Sequence, residues 1–208
     1  MNKRGILTVV SGFAGSGKGT LMKKLLDDHD CYALSVSATS RSPRPGEKEG
    51  VSYFFKTRDE FEKMIENDEL LEHAEYVGNY YGTPKEFVFS KLDEGFDVIL
   101  EIEIQGAMQI KKKYPDTLLV FVTPPGAKEL KARLVGRGTE TPEVIEKRMK
   151  RAAAESEGIE GYDYIVINDE IDKCAKQLHE IIQASHFTPS HQASFIKEIR
   201  KELKDMEE

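Results

Sequence analysis

Residues 12–20 read Gly12-Phe13-Ala14-Gly15-Ser16-Gly17-Lys18-Gly19-Thr20. The apolar run Ile6-Leu7-Thr8-Val9-Val10 precedes them, and a helical pattern through Leu21, Met22, Leu25 and Leu26 follows. Strand, glycine-rich loop and helix in this order hold a nucleoside triphosphate by its phosphates. Gly12, Gly15 and Gly17 allow the sharp turn in which main-chain N–H groups converge on an anion. Lys18 adds a full positive charge and the helix start a fractional one. Glycine spacing alone carries little weight; the lysine and the flanking elements carry the assignment. A loop of this kind usually has a serine or threonine directly after the lysine to bind magnesium. Here Gly19 takes that place and Thr20 follows. Magnesium is therefore expected to be held by phosphates and water, and the pattern leans toward phosphoryl transfer between small molecules.

The chain has 208 residues, enough for one domain with inserted pieces, and it can bury roughly 70% of its unfolded surface without a disulfide or metal staple. Cys31 and Cys174 lie far apart in sequence, and His29, His73, His179, His186 and His191 form no ligand motif. With neither a signal peptide nor an apolar run of membrane length, the expected protein is soluble and cytoplasmic, with no membrane partner. The net charge of −7 argues against a broad electrostatic grip on nucleic acid. Arginines nevertheless gather at Arg41 and Arg44 and at Arg133, Arg137, Arg148 and Arg151. Concentrated arginine in an acidic chain suits a small phosphorylated ligand, although charged surface is the default reading of any one of them.

Strand-like runs recur at Ile6–Val10, Val98–Ile104, Leu118–Val122 and Tyr164–Ile167, mostly separated by helical patterns. That rhythm predicts an α/β fold with a parallel sheet covered on both faces. The stretch from Ser35 to about Tyr81 breaks the rhythm with the turn-rich Ser42-Pro43-Arg44-Pro45-Gly46. A capping box at Thr57-Arg58-Asp59-Glu60 opens a short helix within it. Residues 36–90 read as a mixed α/β insertion carrying the second ligand's site. Residues 126–157, with Gly136 and Gly138 beside arginine-rich helical segments and Thr141-Pro142 opening a helix, read as a mobile lid. The tail, residues 186–208, is expected to be helical, with Phe195, Ile196, Ile199, Leu203 and Met206 packed on the domain surface.

With both halves in view, the chain resembles the guanylate kinase family of P-loop nucleotide kinases from about Ile6 to Ile182. The segments carrying the resemblance begin with Ser35-Val36-Ser37-Ala38-Thr39-Ser40-Arg41-Ser42-Pro43-Arg44 and Gly50-Val51-Ser52-Tyr53-Phe54-Phe55. Leu70-Leu71-Glu72-His73-Ala74 and Gly78-Asn79-Tyr80-Tyr81-Gly82-Thr83 come next. Leu100-Glu101-Ile102-Glu103-Ile104-Gln105-Gly106, Gly136-Arg137-Gly138-Thr139 and Val166-Ile167-Asn168-Asp169 complete the series. The resemblance implies transfer of the γ-phosphate of ATP to GMP, with Mg²⁺ accompanying ATP.

Roles follow from the resemblance residue by residue. The loop from Gly12 to Thr20 would hold ATP, with Arg133, Arg137 and Arg148 closing over its phosphates and Asn168 near adenine. Lys18, Arg41, Arg137 and Arg148 would carry the electrostatic work of transfer. Arg41, Arg44, Tyr53 and Tyr81 match the group that grips the GMP phosphate. Glu72, with Ser37 and Thr83, matches the reader of guanine, whose N1–H and N2 amino group suit a carboxylate acceptor. Glu101 resembles the acidic residue near phosphates and metal, and Glu103 the one that helps hold the acceptor nucleoside. The two glutamates are expected on one strand with both carboxylates on one face. Glu103 stands where aspartate is usual, Ile104 where tryptophan is frequent, and Phe13-Ala14 where Pro-Ser is commoner. Altered affinity with retained chemistry is the expectation.

Read from the residues alone, Tyr53 and Tyr81 also suit core aromatics with wet hydroxyls, Glu72 a structural ion pair, and Asn168 a turn cap. Two other functions stay open: a kinase of the same fold with another small phosphorylated acceptor, and a non-catalytic binding module.

Overall fold

The computed structural model describes residues 4–76, 78–136, 138 and 141–206. Its main sheet is parallel and five-stranded, ordered β2-β7-β1-β8-β9. These strands are β1 (Leu7–Gly12), β2 (Tyr32–Leu34), β7 (Asp97–Glu101), β8 (Leu118–Thr123) and β9 (Tyr164–Ile167). A second, four-stranded sheet is ordered β4-β3-β6-β5 from β3 (Ala38–Thr39), β4 (Phe54–Phe55), β5 (Leu70–Tyr76) and β6 (Asn79–Pro84). β3 pairs parallel with β4 and antiparallel with β6, so this sheet is mixed. The helices are α1 (Lys18–Asp28), α2 (Arg58–Glu66), α3 (Lys85–Asp93), α4 (Ile104–Lys113), α5 (Ala127–Gly136), α6 (Pro142–Ser156), α7 (Ile171–Ser185) and α8 (Ala193–Asp205).

The continuous apolar runs of β1 and β8 reflect burial on both faces. Ile6 and Val10, with Val120 and Val122, pack against Leu21, Met22 and Leu25 of α1 and Cys174, Leu178 and Ile182 of α7. Leu7 and Val9, with Leu119 and Phe121, face Val88 and Leu92 of α3 and Ala107 and Ile110 of α4. The second sheet gathers a small core of Ala38, Phe61 and Leu70 under α2. Thr57 and Glu60 cap that helix reciprocally: the Glu60 N–H donates to Thr57 Oγ1 at 3.2 Å and the Thr57 N–H to Glu60 Oε2 at 2.7 Å. Thr141 caps α6, with Pro142 at its first position. α5 and α6 share the cluster Leu130, Leu134, Ile145 and Ala152, onto which Phe13 also packs.

Two expectations change. The strand read through to Ile104 ends at Glu101, where β7 has its last partner in β1, the pair Val10–Glu101. The Ser11 hydroxyl donates to the Ile102 carbonyl at 2.7 Å, Glu103 becomes the N-cap of α4, and the Glu103 carbonyl accepts the Ala107 N–H. Glu101 and Glu103 therefore do not share a strand face. The tail helix forms as α8, but none of its residues is buried. Phe195 is 60% exposed, Leu203 56% and Met206 83%. A turn held by Gln192 Nε2 on the His186 carbonyl and Thr188 Oγ1 on the Ser185 carbonyl separates α8 from α7. Among the described residues no helix is long and apolar enough to cross a membrane.

Candidate active site

The phosphate loop leaves the carboxyl end of the central strand β1, where chain connections run to opposite sides of the sheet and ligands collect in open α/β folds. Its shape depends on two left-handed glycines. Gly15 has φ +93°, and a Cβ there would meet Leu134 Cδ2 at 2.9 Å. Gly17 has φ +91° and serves as N-cap of α1. Phe13 anchors the loop, its ring meeting that of Phe121 edge-on at 5.0 Å. Phe13 thus gives the loop a hydrophobic footing, and Ala14 beside it is exposed. Lys18 folds across the loop, its Nζ donating to the Gly12 carbonyl at 2.6 Å and the Phe13 carbonyl at 3.3 Å. Gly19 and Thr20 lie exposed on the first turn of α1, and a Cβ on Gly19 would meet no protein atom within 4 Å.

Glu101 reaches the same end of the sheet from β7. Its carboxyl opens to solvent but is walled by protein, and that crowding raises its pKa above the ordinary value. The charge of Lys18 pulls the pKa back down and that of Glu103 pushes it up. Glu103 itself, exposed at the start of α4, pairs with Arg151 Nη2 of α6 at 3.0 Å.

Arg133 and Asn168 meet behind the loop. Asn168 Nδ2 donates to the Ser16 carbonyl at 2.8 Å, and Arg133 Nη1 reaches the same oxygen at 3.3 Å. Arg148 lies half-buried on α6, one turn from Ile145. Arg137, Thr139 and Glu140 lie outside the described residues, and with them the role assigned to Arg137.

The second sheet supplies a separate polar group. Glu72 on β5 is buried, its Oε1 accepting from the Thr83 hydroxyl of β6 at 2.8 Å. Burial raises the Glu72 pKa above the ordinary carboxylate value, against smaller downward pulls from the Thr83 hydrogen bond and Lys113. Gly106 of α4 packs against this carboxylate so tightly that a Cβ would stand 2.8 Å from Oε2. Ser37, half-buried just before β3, ties the sheet together through its carbonyl, which accepts the Phe54 N–H at 2.9 Å.

Arg41, Tyr53 and Tyr81 cluster at the edge of this sheet. The Arg41 guanidinium lies 5.4 Å from the centre of the Tyr53 ring, and the two tyrosine rings are 6.1 Å apart. Burial raises the Tyr53 pKa. Arg44 is exposed in the adjoining turn. Sequence reasoning missed Glu47: its carboxylate takes both arms of the Arg41 fork at 2.8 and 3.0 Å and also the Arg44 N–H at 2.7 Å. These bonds, Arg41 first, hold the Glu47 pKa below its ordinary value. The available signal was its place three residues after Arg44 in a turn-rich segment. The arrangement gives two polar regions: a glycine-rich loop crossed by a lysine, and a second sheet that carries an arginine–tyrosine group and a buried carboxylate.

The sequence model for the family described as guanylate kinase matches residues 4–185. The chain is 52% identical over 187 residues to the guanylate kinase of Lactococcus lactis, covering 90% of this chain and 91% of the relative. It is 48% identical over 203 residues to the guanylate kinase of Bacillus cereus, covering 97% and 99% respectively. The crystal structure of guanylate kinase from Anaplasma phagocytophilum superposes with a TM-score of 0.72 at 34% identity, covering 90% of this chain and 89% of the other. Joined to the glycine-rich loop at Lys18 and the buried carboxylate at Glu72, these likenesses place the chain in the guanylate kinase family.

Proposed function

We propose that this protein transfers the γ-phosphoryl group of ATP directly to GMP, giving ADP and GDP. The observation that carries the acceptor is the buried Glu72 carboxylate, oriented by Thr83 and confined by Gly106. An ionised carboxylate accepts from both donors of the guanine edge, whereas adenine offers a lone acceptor at that position. The loop Gly12–Thr20 cradles the ATP phosphates, and Arg41, Arg44, Tyr53 and Tyr81 hold the GMP phosphate. Ser37 and Thr83 assist Glu72, while Glu101 and Glu103 flank the acceptor. Arginine forks suit phosphate oxygens, and tyrosine hydroxyls donate to them without adding charge.

The attacking oxygen belongs to a phosphate already ionised at neutral pH, so no general base is required. A bond forms between that oxygen and the γ-phosphorus as the bond to the β–γ bridging oxygen breaks, its electron pair leaving with ADP. The task of the chain is to cancel repulsion between two anions and align them. Lys18 and Arg41, joined by Arg137 and Arg148, supply positive charge where charge redistributes. Among the described residues no group of three or more His, Cys, Asp or Glu side chains could cage a metal. The Glu101 carboxylate is an oxygen donor suited to lie near a Mg²⁺ that would keep its waters and arrive on the ATP phosphates. Bound there, Mg²⁺ would draw charge from the β- and γ-phosphate oxygens.

We further propose that residues 36–90 act as the acceptor-binding insertion and 126–157 as a lid, closing together to exclude water and spare ATP from hydrolysis. Support comes from the small cores each gathers, Ala38, Phe61 and Leu70 in the first and Leu130, Leu134, Ile145 and Ala152 in the second, which touches the main body through Phe13. The cytoplasm, where both nucleotides are held and free thiols such as Cys31 and Cys174 persist, is the proposed compartment.

The test is ADP release from Mg-ATP with GMP, AMP, CMP, UMP, IMP or no acceptor. A response confined to GMP supports the assignment. Turnover with another acceptor keeps the donor site and overturns the base reading, and silence from folded, ATP-binding protein supports a non-catalytic module. Gly106→Ala adds a sharper check. Inside a helix this change normally stabilises by about 1 kcal/mol. Here the new methyl group must displace the movable end of Glu72. The KM for GMP is expected to rise about tenfold with the KM for ATP unchanged, since displacing one charged acceptor costs about 1–3 kcal/mol. Steady-state kinetics in both substrates check this.

A further inference from the structure

The Ser16 carbonyl is restrained from two directions by elements far away in sequence. Asn168, buried just past the end of β9, donates Nδ2 to it at 2.8 Å. Arg133, on α5, donates Nη1 to it at 3.3 Å and Nη2 to the Asn168 carbonyl at 2.8 Å. Both donors are themselves fixed. The Asn168 N–H donates to the Thr123 carbonyl at the end of β8 at 2.7 Å, and Arg133 Nε donates to Glu129 at 2.8 Å. In a planar trans peptide the C=O and the following N–H point in opposite directions. Aiming the Ser16 carbonyl outward at Asn168 and Arg133 therefore turns the Gly17 N–H toward the inside of the loop. Gly17 accepts this with φ +91°, and a Cβ there would stand 2.5 Å from Asn168 Nδ2.

We infer that Asn168 and Arg133 are positioning residues of the donor site, which set the Ser16–Gly17 peptide so that its N–H faces the donor phosphates. Asn168 acts on the polyphosphate through the loop, and Arg133 acts through the geometry of its fork as well as its charge. The inference rests on the donor-site reading above and separates from it experimentally, because it concerns phosphate binding and not turnover.

The experiment is displacement of a fluorescent ATP analogue by ATP, ITP and inorganic tripolyphosphate from wild type, Asn168→Ala, Asn168→Asp, Arg133→Ala and Arg133→Lys, with thermal melting alongside. Asn168→Asp sets an anionic acceptor against the Ser16 carbonyl. It should weaken ATP and tripolyphosphate by the same factor, about tenfold or more, and Asn168→Ala by less. The ratio of ATP to ITP affinity and the KM for GMP should move by less than about twofold. Arg133→Lys keeps the charge and loses the planar fork, so it should fail to restore tripolyphosphate affinity relative to Arg133→Ala. Loss of ATP affinity with tripolyphosphate unaffected, or a changed ATP to ITP ratio, would make Asn168 a reader of the base and overturn the inference. Full rescue by lysine would reassign Arg133 to direct charge contact. Should Asn168→Asp melt early, Asn168→Ala and Arg133→Lys decide. A wild type that binds tripolyphosphate but does not phosphorylate GMP would sink the proposed reaction and leave this inference standing.

Discussion

Lys18→Ala lowers turnover by about 10²–10³-fold, the usual consequence of deleting one preorganised electrostatic partner of the reacting group. In the structure the ammonium already lies over the loop, on the Gly12 and Phe13 carbonyls. Alanine leaves the main-chain donors and the helix start in place, so ATP still binds, more weakly. What is lost is the full charge that balances the phosphate oxygens during transfer. The fold should tolerate the change: Lys18 is half-exposed, and water can reach the two carbonyls it leaves. The expected pairing is therefore a collapsed kcat with a nearly unchanged melting temperature. A second consequence concerns Glu101, whose pKa burial raises and Lys18 pulls down. Removing Lys18 should drive the Glu101 pKa higher, visible as a carboxyl resonance titrating at higher pH in the variant. Turnover within about tenfold of wild type, or an unmoved Glu101 titration, would take Lys18 out of its assigned place.

The loop could be read from sequence because its chemistry demands fixed residue types at fixed spacing, and the strand and helix beside it are apolar enough to show their period. Short pairings were beyond that reading. β2 has three residues and β3 two, lengths at which alternation carries no information and pairing with β7 or β6 decides the conformation. The stretch Leu100-Glu101-Ile102-Glu103-Ile104 misled in the opposite direction. Its strict alternation matches a strand, yet Ile102 and Ile104 reach the core cluster from a connecting segment and the first turn of α4. Glu103 consequently points to Arg151 on α6, a partner 48 positions away that no local pattern announces. Glu47 was hidden for a related reason: a turn has no period to violate, and its bond to Arg41 exists only once the turn closes. The tail shows the limit of amphipathic reading, since the stripe on α8 is real but the turn before it leaves the stripe exposed. Arg133 and Asn168 were picked out as residue types suited to a nucleotide. Their convergence on one carbonyl, from 117 and 152 positions away, is a property of the folded chain.

Glu72→Gln weakens GMP by about 100-fold and leaves ATP affinity unchanged. The carboxylate offers acceptors to both guanine donors, while the carboxamide offers one acceptor and turns an NH₂ group toward the other donor. Mispairing a buried, charge-assisted contact costs about 1.5–3 kcal/mol, or roughly ten- to more than a hundredfold. The pH dependence sharpens the result. Burial raises the folded-state pKa of Glu72 above its ordinary value of 4.5. A group raised in this way contributes to stability when protonated, and that contribution fades as pH rises through the folded pKa. At neutral pH the ionised side chain is thus a burden on the ligand-free fold, and the neutral glutamine should melt at the same temperature or higher. GMP has the opposite requirement, since it needs the ionised form. Its affinity in the wild type should fall as pH drops through the raised pKa, in a window that begins above 4.5, while Glu72→Gln loses this acid limb. A variant that is as stable as the parent, poorer in GMP binding and left with only the acid limb of the GMP phosphate, whose second pKa is about 6, identifies a side chain buried for recognition. Equal losses for ATP and GMP together with a lower melting temperature would instead make Glu72 part of the scaffold, and guanine would need another reader.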